Sequence, residues 1–179
     1  GIGAPANPLV KKGDRVLAGQ IIGEAGGFIS ANVICSVSGT VKAVEPRRVA
    51  SGGMVNSVVV ENDGQYEAVE GMGADRDPAT LSKQEIRDIV KAAGIVGMGG
   101  AGFPTNVKLS PKNEDAIEYI LINGAECEPY LTSDYRQMLE YTDQIVGGLK
   151  VMLKLFDNAK GVICIEDNKP DAIAKMQEA

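Results

Sequence analysis

Four glycines fall within six positions in the run Gly97-Met98-Gly99-Gly100-Ala101-Gly102-Phe103-Pro104. Glycine frees the backbone to take left-handed or extended angles and to aim successive N–H groups into one concavity, which suits a phosphate or the edge of an isoalloxazine. Lys108 is near enough in sequence to add a positive charge. An isolated glycine run is more often a flexible surface loop. Here the apolar Ile95 and Val96 before it and the stiff Phe103-Pro104 after it favour a binding loop. A second segment, Asn123-Gly124-Ala125-Glu126-Cys127-Glu128-Pro129-Tyr130, follows an apolar run and so marks the carboxyl end of an expected strand, where open parallel sheets hold their ligands. Asn123 can hydrogen-bond a ring edge, and Glu126 or Glu128 can accept from an amide or a ribose hydroxyl. Equally, Asn123-Gly124 can form a simple turn while the glutamates cap the next helix through its dipole. The residues alone leave both readings open.

The 179-residue chain contains no His, so Ser-His and Cys-His nucleophile pairs, imidazole bases and His-ligated zinc are excluded as products of these residues alone. No side chain is nominated as a catalytic acid, base or nucleophile. Cys35, Cys127 and Cys164 are widely spaced with no Cys-x-x-Cys pair, which points to reduced cytoplasmic thiols and away from a complete zinc or iron-sulfur site. Cys164, within Val-Ile-Cys-Ile, is expected in a strand core. Cys127 lies between Glu126 and Glu128, whose charges disfavour its thiolate. Eighteen Lys and Arg against 24 Asp and Glu leave a net charge of −6, and with 4% aromatics this makes a poor nucleic-acid ligand. No apolar run approaches the roughly 20 residues of a membrane span. The chain begins Gly-Ile-Gly with no signal-peptide pattern, so its start reads as a cut or a tag scar.

The elements that must hold the two segments divide into two grammars. Residues 1–70 read as short β-strands: Gly13-Asp14 and Ala18-Gly19 are turns, Ser38-Gly39 precedes the run 40–44, and 55–60 is a further β-branched run. No helical period precedes residue 80. A Gly, Asp and Pro-rich linker occupies 71–80, and 81–179 reads as α/β. Ser82 and Glu85 make a capping box for a helix whose Ile86, Ile89, Val90 and Ala93 share one face, with Gly94 at its carboxyl cap. Strands are expected at 118–122 and 161–165, one helix at 134–153 with Met138, Ile145, Leu149 and Met152 on one side, and another helix opened by Pro170. Alternating strands and helices predict a parallel sheet.

The order Gly99-Gly100-Ala101-Gly102-Phe103-Pro104-Thr105, then Lys108, then Asn123 with Glu126 and Glu128-Pro129, then Asp134 and Arg136, resembles the flavin-binding subunit of NADH-quinone oxidoreductase. The front segment GAPANPLVKKGDRVLAGQIIG, followed by SVSGTV, resembles more narrowly the RnfC family of the Rnf electron transport complex, through its barrel-sandwich region. The resemblance implies a biotinyl- and lipoyl-like β barrel-sandwich hybrid followed by the first part of a Rossmann-like flavin-nucleotide domain. It further implies FMN held by Gly97, Gly99, Gly100, Ala101, Gly102 and Lys108, with Asn123 on the flavin and Phe103 and Glu128 beside the nicotinamide nucleotide of NAD, and Glu126 is counted with these cofactor-binding residues. Two positions depart from the flavin subunit's pattern. Ala125 stands where Asp is usual and Met98 where Arg is, so one polar and one anion contact are in question.

The family resemblance implies a peripheral subunit on the inner face of the cell membrane, passing electrons between NAD(H) and ferredoxin through FMN in an ion-translocating complex. Its 4Fe-4S clusters belong to a later ferredoxin-like domain, and the fragment alone is expected to be inactive and to bind FMN weakly. Two alternatives stand beside it: a non-catalytic docking module of the same complex, and a soluble relative feeding electrons from NADH to a cytoplasmic reductase. Carrier domains similar to the front segment bear a modified Lys on the hairpin between their two blocks. Residues 24–38 contain no Lys, so a swinging arm is excluded and a rigid docking or spacer role is expected.

Overall fold

Short β-branched runs cut by tight turns build two small antiparallel sheets around one core. In the computed structural model, which describes residues 3–98 and 100–179, β1 (Asn7–Pro8), β3 (Ile21–Glu24) and β4 (Val33–Ile34) form one sheet in the order β1-β3-β4. The other has the order β2-β5-β6, from β2 (Arg15–Val16), β5 (Gly39–Arg48) and β6 (Met54–Asn62). Val16 and Val41 from the second sheet, Ile22 from the first and Cys35 just after it are buried together, with Val10, Val37, Val44, Val58 and Val60 packed around them. Cys35 is thus a small core residue. Its thiol donates to the carbonyl of Val37.

A polar cluster closes this barrel-like unit. Ser38 is fully buried. Its hydroxyl donates to Asp63 Oδ1 at 2.6 Å and accepts from the N–H of Glu67 at 3.0 Å, while Arg15 donates to both Asp63 and Glu67. Donation from Ser38 and from the Gln65 N–H holds the Asp63 carboxyl below its ordinary value of 3.8, outweighing partial desolvation, and Arg15 adds to the effect. The chain is thereby turned back along Ala18, whose N–H donates to Glu67 O and whose carbonyl accepts from Val69 N–H, both at 2.9 Å.

After a single 3-10 turn at Pro78–Thr80, the expected capping box opens α1 (Lys83–Ala92), with Ser82 and Glu85 satisfying each other's backbone N–H groups. Gly94 follows at φ +63°, where any Cβ would overlap the carbonyl oxygen of Asn32, and Asn32 Nδ2 donates to Ala92 O. These contacts bind α1 to β4. Compactness divides the chain into Gly1–Ser110 and Pro111–Ala179, so the 71–80 stretch and α1 both lie within the first unit.

In the second unit, β7 (Tyr119–Asn123) pairs in parallel with β8 (Lys160–Cys164), as the alternation of elements predicts. The expected single helix is two: α3 (Ser133–Glu140) and α4 (Thr142–Leu153). The break is at Tyr141, at φ −126° and ψ 33°, and the buried Thr142 spends its hydroxyl on the carbonyl of Met138 at 2.5 Å. A short polar β-branched side chain competes in this way with regular helix continuation. α5 (Pro170–Glu178) carries Pro170 in its first turn, after Lys169. Cys164 is exposed, which corrects its expected place in a strand core. Leu149 of α4 packs against Gly161, so the period of two directs 161 and 163 toward the helix and 162 and 164 away from it. Among the described residues no helix is long and apolar enough to cross a membrane.

Removing the Ser38 hydroxyl strands the Glu67 N–H and takes a donor from Asp63. Ser38→Ala should lower unfolding free energy by roughly 1–3 kcal/mol, seen as a lower urea midpoint with an unchanged m value. Asp63→Asn should lower Tm at neutral pH. Because the folded pKa of Asp63 lies below 3.8, its contribution is complete above that value and is lost as pH falls through the folded pKa. The melting curves of wild type and Asp63→Asn should therefore converge on acidification; a constant Tm gap down to about pH 2 would contradict this assignment.

Candidate functional site

The glycine run forms a loop with clamped ends. Val96 and Pro104 bridge antiparallel, Gly97 N–H donates to Phe103 O at 2.9 Å, and Thr105 N–H donates to Ile95 O at 3.0 Å. Pro104 is fully buried at this base and leads into the one-turn helix α2 (Thr105–Lys108), which packs against α1. Leu109, buried just beyond, accepts from Arg87 Nε of α1 at 2.8 Å. The Ile95-Val96 and Phe103-Pro104 flanks therefore do what their stiffness suggests. They hold both ends of a loop whose own residues have little conformational preference.

Within the loop, Gly100 has φ +134° and Gly102 φ +64°, angles that side-chain-bearing residues seldom adopt. Lys108 returns to the loop from the end of α2. A Cβ placed on Gly97 would lie 3.3 Å from Lys108 Nζ, so the ammonium sits directly over a bare stretch of backbone. Ala101 is exposed, Phe103 is half-buried, and Gly99 lies outside the described residues. Bare glycine backbone at position 97 beside the Lys108 ammonium is chemistry suited to an anionic group such as a phosphate.

In the second unit the Asn123–Glu128 segment follows β7. Asn123 Oδ1 accepts from the Ala125 N–H at 3.1 Å, a local turn. Glu126 receives the Ser133 hydroxyl at 3.1 Å, the Asp134 N–H at 3.0 Å and the Tyr135 N–H at 3.3 Å, and so caps α3, whose own N-cap Thr132 makes no side-chain bond. Partial desolvation raises the Glu126 pKa, but these contacts together with the Ser133 N–H bring it below the ordinary carboxylate value. Of the two readings open in the sequence, turn and cap are thus realised for Asn123 and Glu126. The side chain of Glu128 is exposed, as is Cys127, and the Glu128 carbonyl accepts from Leu131 N–H. A cavity of about 190 Å³ at this carboxyl end is lined by Asn123, Gly124, Asp134, Gln137 and Met138 among others. Ser133 and Tyr135 were not legible as partners, because a cap reaching back from seven to nine residues upstream lacks the three-residue spacing of a capping box. Among the described residues no group of three His, Cys, Asp or Glu could hold a metal ion.

Comparison with known proteins divides the chain in the same order as its two grammars. Residues 1–65 match the RnfC barrel sandwich hybrid domain, and residues 90–179 match the Nuo51 FMN-binding domain. The chain is 46% identical, over 99% of its length, to the C subunit of the proton-translocating ferredoxin:NAD(+) oxidoreductase complex of Clostridium ljungdahlii and to its Na(+)-translocating counterpart in Acetobacterium woodii. It is 42% identical, over 98% of its length, to the C subunit of the ion-translocating oxidoreductase complex of Rhodobacter capsulatus. It spans 39%, 40% and 34% of those three relatives.

The cap on α3 is open to direct measurement. Glu126→Ala should speed amide hydrogen exchange at Asp134 and Tyr135 while leaving the amides of β7 and β8 unchanged. Because the Glu126 pKa is lowered, wild-type protection there should persist above the ordinary carboxylate value and fade as pH falls through the folded pKa. Exchange at those two amides indifferent to the substitution would remove the capping role.

Proposed function

We propose, from the premise that this chain belongs to the RnfC family, that it supplies the flavin-binding part of a subunit passing electrons between NAD(H) and ferredoxin in an ion-translocating membrane complex. The observation that carries the reading is the Lys108 ammonium set over Gly97 in a loop clamped at both ends, within the residues that match an FMN-binding domain. In this reading the backbone of Gly97, Gly99, Gly100, Ala101 and Gly102 lies along FMN and Lys108 offsets its phosphate charge. Phe103 offers a stacking face to a planar ring. Taken by itself, the second unit offers Asn123 and Glu128 as polar groups to a nucleotide, and Glu126 fixes the segment that carries Glu128.

When bound, FMN supplies the junction between two-electron and one-electron transfer. The chain's residues bind and orient; none needs to act as an acid or a base. In this reading 4Fe-4S clusters are carried outside these 179 residues. Partners in this reading are the other subunits of the complex, ferredoxin and NAD(H), and the location is peripheral, on the inner face of the cell membrane. The matches at 1–65 and 90–179 support a division into a barrel-sandwich domain at 1–70, a linker at 71–80 and a flavin domain from 81. Two relatives of equal identity are named for different ions, so likeness favours neither proton nor sodium.

The test is FMN binding by the full-length subunit, followed by flavin fluorescence. Lys108→Ala removes a charge-assisted contact of about 1.5–3 kcal/mol and should raise Kd roughly ten- to hundredfold. Gly100→Val should also weaken binding, since φ +134° is closed to a β-branched residue while the space around it is open. Wild-type affinity in both variants would defeat the proposed flavin loop.

A further inference from the structure

Asn123-Gly124 is the one Asn-Gly pair in the 179 residues. Asparagine before glycine is the pair most prone to spontaneous deamidation, because a following residue without Cβ leaves the side-chain amide open to the next backbone nitrogen. The chemistry needs only water. The Gly124 nitrogen gives up its proton to solvent base and bonds to Asn123 Cγ, the Cγ–Nδ2 bond breaks, and ammonia leaves with a proton. Water then opens the cyclic imide at either carbonyl, giving aspartate or isoaspartate.

The fold both creates this pair and restrains it. Asn123, the last residue of β7, is exposed, and Gly124 beside it is buried. A Cβ on Gly124 would lie 3.0 Å from Cys164 O, 3.1 Å from Met138 Sδ and 3.5 Å from Ile165 Cγ1, so packing where β7, β8 and α3 meet favours glycine there. The Gly124 N–H donates to the Cys164 carbonyl at 2.8 Å, one residue beyond the parallel pairing of Asn123 with Cys164. Asn123 Oδ1 is meanwhile held by the Ala125 N–H at 3.1 Å. The proton that must leave for ring closure is therefore the one engaged by Cys164.

We propose that Asn123 is a site of spontaneous deamidation that the Gly124–Cys164 hydrogen bond holds in check, so that modification records each opening of the carboxyl end of β7. Deamidation exchanges two N–H donors for a carboxylate, and isoaspartate adds a methylene to the backbone at the turn. The inference stands on these bonds and is independent of the flavin reading. Hydrogen exchange at the Gly124 amide begins with loss of the same proton and needs the same local opening. Native structure must therefore slow both reactions by a common factor.

The experiment incubates the full-length subunit at mildly alkaline pH, native and unfolded in urea. The peptide carrying residue 123 is followed by mass spectrometry and by enzymatic methylation of isoaspartate. In the unfolded chain Asn123 should react faster than Asn56 and Asn106, which precede Ser57 and Val107. In the native chain it should slow at least about tenfold, equivalent to a local opening free energy of ~1.4 kcal/mol, and by the same factor as exchange of the Gly124 amide. Gly161→Ala sets a Cβ 2.8 Å from Leu149 Cδ2, which pries β8 from α4, and should raise both native rates together. Should that variant fail to fold, urea below the unfolding transition must raise both rates of wild type together. Equal deamidation in native and unfolded chains would overturn the proposal, as would native deamidation and Gly124 exchange that change independently. Protection that disappears when flavin is removed would assign it to the ligand and overturn the role of the hydrogen bond. Absence of any preference for Asn123 in the unfolded chain would overturn the site itself.

Discussion

A hydroxyl with no access to water determines the path of the first unit. Ser38 sits where β5 begins, and its one oxygen serves Asp63 at the end of β6 and the N–H of Glu67 beyond it. A buried donor or acceptor without a partner is expensive, so the chain leaving β6 cannot swing away without stranding one. The nearby ion pairs of Arg15 with Asp63 and Glu67 are exposed and contribute comparatively little. They conform to the geometry that the buried hydroxyl imposes.

Elements farther along the chain inherit that direction. Once residues 67–69 are laced to Ala18, the chain reaches α1 from a fixed point, and Asn32 and Gly94 dock the end of α1 on β4. The glycine loop begins directly after Ile95 and Val96, and both of its closing hydrogen bonds lie at that junction. A loop this rich in glycine would ordinarily be mobile. Here its ends are set by packing of Pro104 and Leu109, so the freedom that remains is confined to the residues that would approach a ligand.

Local signals in the sequence read well where one rule acts alone. The Ser82–Glu85 box, the Gly94 cap, the parallel order of β7 and β8 and the turns at Gly13 and Gly19 all come from short-range chemistry. The helix break at Tyr141 did not, because the apolar period runs straight through it and only the tertiary burial of Thr142 turns its hydroxyl onto Met138. Cys164 misled for a related reason. An apolar run of four gives no face, and only the placement of α4 shows which residues of β8 look inward. The Ser38 cluster was illegible because its hydrogen-bonded partners are 25 to 52 residues apart in sequence. For the candidate site, residue types were readable, whereas the pairing of Lys108 with Gly97 required the turn of α2 to exist first.

Capping and ligand binding are not exclusive uses of the Asn123–Glu128 segment. A carboxylate offers about four lone-pair sites. The Ser133 hydroxyl and N–H and the N–H groups of Asp134 and Tyr135 take up that capacity on Glu126, and their donation favours its ionised form. Asn123 uses its carbonyl oxygen in the turn with Ala125, which leaves its two amide protons to donate. The segment therefore presents a donor at the end of β7 and a filled cap at the start of α3, each held by the bonds that define those element ends. Moving either group requires breaking a strand-terminal turn or uncapping a helix. That is the physical reason a motif built mostly from small residues can keep its polar groups in register without a bulky framework around them.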